Sequence, residues 1–360
     1  MGTSGTVAVG IAGVRGYKGI ETARLIAGHP GFRVVMVASD VVAGGRLRDI
    51  DPDLSRDGAA QAVGYNDTVS AAVDYGVELM FLATRPLFCS QLAAELHARG
   101  IRVVDLSGAH CIRNGDAHVE AYGFAQVDPA MSARAAYGLT ELADHEALRT
   151  AALVANPTSY ATAVLLALQP LVSAGIVEPT SVVVDVKAGT SAAGRRARIS
   201  LLFSEVADDC YANKIDRHPH TPEVLEQLAP LGGPDFRFTL VSHMVPVTRG
   251  MVATCYLRVA GAGSVDAGAE RVRAVLRGRY GDEPFVRVRD RAEDVHLRDV
   301  VGTNRCVLGV AADPYGDRVV VACAIDNLLK GTAGQAMQNA NLMFGFPVTA
   351  ALGLGTGGLP

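Results

Sequence analysis

Nowhere in the 360 residues is there a CxxC pair, a cysteine set against histidine at metal-ligand spacing, or an apolar run of bilayer length. The six cysteines (Cys89, Cys111, Cys210, Cys255, Cys306 and Cys323) stand singly. That excludes a zinc or disulfide framework and reads as the reduced thiols of a cytoplasmic protein. The missing apolar run excludes a membrane span. Lysines and arginines number 33 against 37 acids, a formal net charge of −4. With no basic cluster there is no electrostatic footprint for nucleic acid. The amino terminus, MGTSGTVAVGIAGVRG, lacks the charged region of a signal sequence. Its first six residues loosely fit a myristoylation pattern, but a strand pattern follows at once and argues against it. Internal repeats and low-complexity linkers are also missing.

What is present is an ordinary globular composition, 49% hydrophobic and 19% charged, in a chain long enough for two domains. In the first 150 or so residues, apolar runs alternate with amphipathic stretches: TVAVGIAG, then a helix near residues 19–27, FRVVMVAS, VELMFLAT, a helix through QLAAELHARG, and IRVVDLS. Such alternation predicts an α/β fold, a doubly wound parallel sheet over residues 1–155. Over residues 156–325, TSVVVDVKAG, FRFTLVSHMV, RGMVATCYLRV and CVLGVAA alternate as strands of a mixed or antiparallel sheet, which predicts a second, α+β domain. Residues 326–360 open with a last long helix, DNLLKGTAGQAMQNANLMFG. Gly331 and Gly334 within it allow close backbone approach, with the first domain as the expected neighbour.

Glycines 10, 13, 16 and 19 form GIAGVRGYKG, directly after a strand and opening a helix. A dinucleotide-binding turn needs glycines there for the tight bend and for close approach to pyrophosphate, whose charge sits on the helix amino terminus. Cofactor contacts are therefore expected at Gly10, Gly13, Val14, Arg15, Gly16 and Tyr17. The second strand ends VVMVASD. An acid at that point accepts hydrogen bonds from ribose hydroxyls and repels a 2′-phosphate. Asp40 thus leans the choice between NAD and NADP toward NAD, whereas Ser39 with Arg46 and Arg48 offers the opposite reading, a phosphate site. Asp40 serving only as a loop cap is the plain structural alternative.

Between the halves lies NPTSYATA, residues 156–163, whose candidate nucleophile is Ser159. No histidine, lysine or acid stands beside it to activate a hydroxyl.

The whole chain resembles the N-acetyl-gamma-glutamyl-phosphate reductase family, relatives of aspartate-semialdehyde dehydrogenase. The stretches that carry the resemblance run in order: GVRGYKGIE, HPGFRVVMVAS, FLAT, VVDLSG, AYGLTEL, VANPTSYATA, VDVKAGTSAAGR, HPHTPE, MVPVTRGMVAT, GTNRC and DNLLKGTAGQAMQNANLMFG. The resemblance implies a Rossmann domain, a catalytic α+β domain, and a carboxy-terminal helix that returns to the cofactor domain. The activity it implies is reduction of an acyl phosphate to an aldehyde with NADPH. Matched residue by residue, the family's nucleophilic cysteine falls on Ser159 and its acid/base histidine on His218. The resemblance further implies substrate contacts at Arg113, Arg195, Arg249 and His220, and cofactor contacts at Gly189, Asn327, Gly331 and Gln335. Planar guanidinium groups suit phosphate and carboxylate.

The departures cluster around one site. Serine replaces cysteine, Thr158 and Ala161 replace a glycine and a proline, and Arg85 enters the turn after the fourth strand. A serine hydroxyl is almost wholly protonated and needs a placed base, whereas a thiol is readily tuned to its thiolate. An oxyester also accepts hydride less readily than a thioester. Cys89 and Cys111 are the candidate replacements for the thiol, with packing in the core as the alternative. The expected activity is hydride transfer on a small amino-acid-derived aldehyde, ketone or imine, with Ser159 as hydrogen-bonding group and His218 moving the proton. Acyl-phosphate reduction through Ser159 and a non-catalytic nucleotide-binding relative are the alternatives. A small-molecule substrate, free or carrier-protein-bound, and a homodimer or homotetramer complete the expectation; no metal, nucleic acid or membrane enters it.

Overall fold

Strands buried on both faces must be short and nearly free of charge, and the first-half runs are. In the computed structural model, which describes residues 5–54 and 56–353, they form one seven-stranded sheet. Its members are β1 (Val7–Ala12), β2 (Phe32–Ala38), β3 (Gln61–Val63), β4 (Leu79–Leu82), β5 (Arg102–Asp105), β6 (Ala136–Tyr137) and β7 (Leu153–Ala155). Their order is β3-β2-β1-β4-β5-β7-β6, and each pairing is parallel. Helices Tyr17–Ala27 and Pro86–His97 follow β1 and β4. The order reverses between β1 and β4, and the carboxyl ends at such a switch point are where doubly wound sheets hold ligands.

The second sheet holds β8 (Val182–Ala188), β9 (Tyr211–Asn213), β10 (Phe238–Met244), β11 (Met251–Leu257), β12 (Val286–Val288), β13 (Cys306–Ala312) and β14 (Val319–Ile325). Its order is β12-β13-β14-β11-β8-β10-β9. It is mixed: β8 runs parallel to β10 and antiparallel to β11. Helix Ser159–Ser173 packs as its spine, with Tyr160 to Leu168 buried without interruption. Tyr280 at the end of helix Val265–Tyr280 donates to the Leu166 carbonyl at 2.7 Å.

The described chain separates into two compact units, residues 5–158 with 332–353, and residues 159–331. The sequence patterning sets the first boundary after residue 155. The fold sets it between Thr158 and Ser159, because Asn156 bonds back to the first unit: its backbone N–H donates to Asp105 at 3.0 Å and its side chain accepts from Asn339.

The last helix is not continuous. Leu329–Ala333 is a wider π turn, and the α-helix runs over Gly334–Met343. The cause is local: Gly331 N–H reaches back five residues to the Asp326 carbonyl at 2.9 Å, while the Asp326 carboxylate caps Leu328 and Leu329. From Thr332 on, this segment belongs with the first unit. There Arg102 donates to the Met343 carbonyl at 2.6 Å. Two expectations fall outside the described residues: the acylation pattern at 1–4, and the end of the final segment at 354–360. No described helix is long and apolar enough to cross a membrane.

Candidate active site

In the first unit, the turn after β1 is built by glycines with different tasks. Gly10 lies inside β1, where a Cβ would strike Met80 of β4. Gly13 takes the left-handed conformation (φ 91°), and a Cβ there would lie 2.7 Å from the Ala83 carbonyl oxygen. Its N–H is tied to Ala38 at the end of β2 at 3.0 Å. Gly16 caps helix Tyr17–Ala27 with no side-chain hydrogen bond, and no acid stands in the first turn. Gly19 sits against the backbone of Gly13 and Val14, so loop and helix are in direct contact. The result is a helix amino terminus with no capping side chain, behind a turn that admits no side chain at Gly13, which fits a pyrophosphate. Val14 is buried, while Arg15 and Tyr17 are half-buried at the rim.

Asp40 is exposed just beyond β2, and its carboxylate accepts the Tyr65 N–H at 2.7 Å. It therefore does cap the neighbouring loop. Ser39 is buried, with its N–H on Val63, whereas Arg46 and Arg48 are exposed. Arg85, also exposed, precedes helix Pro86–His97.

The two substitute thiols are packing residues. Cys89 is fully buried, and burial pushes its thiol well above the ordinary range. Cys111 is equally enclosed, its sulfur within 3.3 Å of the Asn156 carbonyl. Both side chains are therefore closed off from solvent.

In the second unit, Ser159 opens its helix half-buried. Its neighbour is Gly331, where a Cβ would fall 2.7 Å from Ser159 Cβ. Tyr160, the next residue, stacks obliquely on His218 with ring centroids 4.4 Å apart, and His220 completes the cluster at 5.1 Å from His218. His218 is 6% exposed, and its Nδ1 accepts the His220 N–H at 3.3 Å. That contact leaves the proton of the neutral ring on Nε2. Burial first, and then the Lys214 charge, lower its pKa to about 4. At neutral pH His218 is therefore an uncharged N–H donor.

A cavity of about 210 Å³ opens onto this cluster, lined by Tyr160, Arg198, Ser200, Asn213, Lys214, His218 and His220 among others. Ser159, Arg195 and Arg249 are not among its lining residues. Arg195 is exposed. Arg249 is bound to the buried Asp326 carboxylate at 2.6 Å. Arg113, in the first unit, donates to the Ala135 carbonyl at 3.0 Å. Polar groups expected to meet cofactor also have fixed partners within their own units. Asn327 accepts from Gly250 at 2.7 Å and donates to Ser191 at 3.0 Å. Gln335 donates to Gly138 and Thr140 at 3.0 and 2.8 Å. Gly189 lies where a Cβ would meet Val247 and Arg249 backbone at 2.8 and 2.9 Å, the reason for a glycine there. Arg198 and Lys214 escape sequence reading, because single cations in a loop carry no spacing signal.

Comparison with known proteins covers both units. Residues 8–151 match the family described as "Semialdehyde dehydrogenase, NAD binding domain", and residues 159–327 match "Semialdehyde dehydrogenase, dimerisation domain". An N-acetyl-gamma-glutamyl-phosphate reductase of Alkalilimnicola ehrlichii is 42% identical over 346 residues, 96% of this chain and 98% of the relative. One from Moorella thermoacetica is 37% identical over the same shares. Among solved structures, aspartate semialdehyde dehydrogenase II of Vibrio cholerae is similar in fold, with a TM-score of 0.67 at 16% identity, covering 94% of this chain and 98% of that one.

Proposed function

The chain belongs to the N-acetyl-gamma-glutamyl-phosphate reductase family of semialdehyde dehydrogenases and is an NAD(P)-dependent oxidoreductase, and we propose that it moves hydride directly, without a covalent acyl intermediate. The substrate in this reading is a small amino-acid-derived aldehyde, ketone or imine. One observation supports it: Ser159 stands at the nucleophile position, next in the chain to the Tyr160 that packs on His218, and that histidine is neutral and presents N–H instead of a lone pair at Nε2. A histidine in that state does not deprotonate serine. It does hydrogen-bond an oxygen or nitrogen on which negative charge develops.

Bound NAD(P) supplies or accepts the hydride. The residues of the chain hold the rest. Ser159 and the N–H groups that open its helix donate to the substrate oxygen, and His218 Nε2–H shares that load. The alkoxide finally takes its proton from solvent, while His218 Nε2–H holds the oxygen by its hydrogen bond. Gly13 and Gly16 shape the pyrophosphate seat. Asp40, exposed beyond β2, favours NAD over NADP, because its charge opposes a 2′-phosphate. The substrate is a small molecule, and the enzyme works as a dimer or tetramer.

The reductases among its relatives favour a second reading, acyl-phosphate reduction through a Ser159 ester. Turnover of a semialdehyde panel with each nucleotide, with and without phosphate, separates the two. Direct transfer predicts phosphate-independent turnover and no acyl adduct on Ser159 by mass spectrometry. Phosphate-dependent oxidation with a trapped ester on Ser159 overturns it. Ser159→Cys is expected to lower the native activity, because a thiol is the poorer hydrogen-bond partner.

A further inference from the structure

We propose that Lys18 sets which oxidation state of the nicotinamide cofactor the chain holds more tightly. Its ammonium lies on the side of the crevice left to the nicotinamide half and favours the reduced form. This rests on the reading of the glycine turn as the pyrophosphate seat and is independent of how Ser159 acts.

Lysine is a poor choice for this place in a helix. Lys18 is the second residue of helix Tyr17–Ala27, in the turn where the dipole is positive and an acid is favoured. No acid stands in that turn, and no side chain caps it. A cation there works against the dipole, and local rules of this kind are broken where a residue serves a site.

The side chain is half-buried, and its Nζ donates to the Leu106 carbonyl at 2.7 Å. Leu106 directly follows β5, and its own N–H donates to Leu82, the last residue of β4, at 2.9 Å. The ammonium is thus carried from the helix after β1 to the carboxyl end of β5, two strands away. The Cys89 thiol, in the helix after β4, feels the same charge: burial raises its pKa, and Lys18 acts against that rise.

The strand order gives that end of the sheet its meaning. It reverses between β1 and β4, so a dinucleotide with its pyrophosphate on the glycine turn sends one nucleoside toward β2 and the other toward β4 and β5. Asp40, just beyond β2, marks the adenosine side. The side of Lys18 and Leu106 is left to nicotinamide.

Oxidised nicotinamide is a cation, whereas the reduced ring is neutral. A fixed positive charge repels the first and not the second. Asp105, the last residue of β5, is the charge that opposes this effect. It is fully buried, one carboxylate oxygen accepts the Ser107 N–H at 2.9 Å, and the other has no hydrogen-bond partner among the described residues. Asp105 is sealed from solvent and Lys18 is not, so Lys18 is the charge a ligand can approach. By linkage, tighter binding of the reduced form moves the equilibrium between the bound forms toward oxidation of the substrate.

The test is a set of binding titrations on the full chain. NADH is followed by its fluorescence, and NAD+ and ADP-ribose by displacement of NADH, with the 2′-phosphorylated set run in parallel. ADP-ribose carries the pyrophosphate but no nicotinamide. Wild type should hold NADH more tightly than NAD+. Lys18→Met removes the charge and should shrink that ratio about tenfold, mainly through tighter NAD+, with ADP-ribose unchanged. Lys18→Arg should keep the wild-type ratio. A lysine that only staples the helix to β5 shifts all three ligands together or none. Equal weakening of all three, or an unchanged ratio, therefore overturns the proposal. If the ratio fails while Gly16→Val still abolishes binding, the pyrophosphate seat stands and only Lys18 is wrong. Undiminished binding by Gly16→Val removes both.

Discussion

Gly331 leaves no room for a side chain against Ser159: a Cβ on the glycine would lie 2.7 Å from Ser159 Cβ and 3.2 Å from its Cα. The π turn that carries Gly331 therefore sets where the serine stands. Gly331→Ala should cost about 1–3 kcal/mol by overpacking and lower kcat by more than its effect on melting suggests. Ser159→Ala, which removes only the hydroxyl, should melt like wild type. A Gly331→Ala enzyme of normal activity and stability would show that the serine has freedom to move away.

The Arg249–Asp326 pair gives a different signature. Asp326 is fully buried, and Arg249→Met leaves its charge without the guanidinium. Breaking such a pair costs about 3–5 kcal/mol. Chemical denaturation should register that loss, and a double variant with Asp326→Asn should recover part of it. If Arg249→Met instead raises KM with stability unchanged, the arginine serves substrate as the family pattern implies.

Acid should weaken the fold through His218. Its pKa falls from 6.5 in the unfolded chain to about 4 in the folded one. The unfolded state therefore binds the proton first, and stability declines as pH drops from about 6.5 to about 4. The full shift corresponds to about 3 kcal/mol as an upper bound. Denaturation midpoints across that window should fall in wild type and flatten in His218→Gln. Equal slopes in the two proteins would remove His218 from the titration.

At the nucleotide turn, the two loop glycines should behave differently. Gly16 has an ordinary φ of −73°, and a Cβ there meets Gly13 O at 3.3 Å. Gly16→Val should abolish NAD(P)H fluorescence enhancement in a folded protein. Gly13→Val should lose nucleotide and fold together, since φ 91° and the Ala83 carbonyl both oppose a side chain. Undiminished binding by Gly16→Val would remove the pyrophosphate from this turn.

The parallel sheet was legible because VAVGIA and LMFL are continuous apolar strands and FRVVMVA is interrupted only by the exposed Arg33, a pattern with few alternatives. Strands β3, β6, β9 and β12 were not, since two or three residues carry no period. Ser159 and His218 were singled out through their motifs. Arg249, Asn327 and Gln335 were singled out in the same way, and each also binds a group within the fold. A polar side chain required by a buried carboxylate or a loop N–H looks the same in sequence as one required by a ligand.

The Asp326 carboxylate acts as a timing device for local opening. One oxygen takes the N–H groups of Leu328 and Leu329, the other takes Gly302 N–H and the Arg249 side chain, and Asn327 beside it holds Gly250 N–H. Amides from three separate chain segments thus hang on adjacent side chains. Releasing one strands a buried charge, so they release together. In native-state hydrogen exchange, Gly250, Gly302, Leu328 and Leu329 should share a single opening free energy and lose protection in step when Asp326 is changed to asparagine.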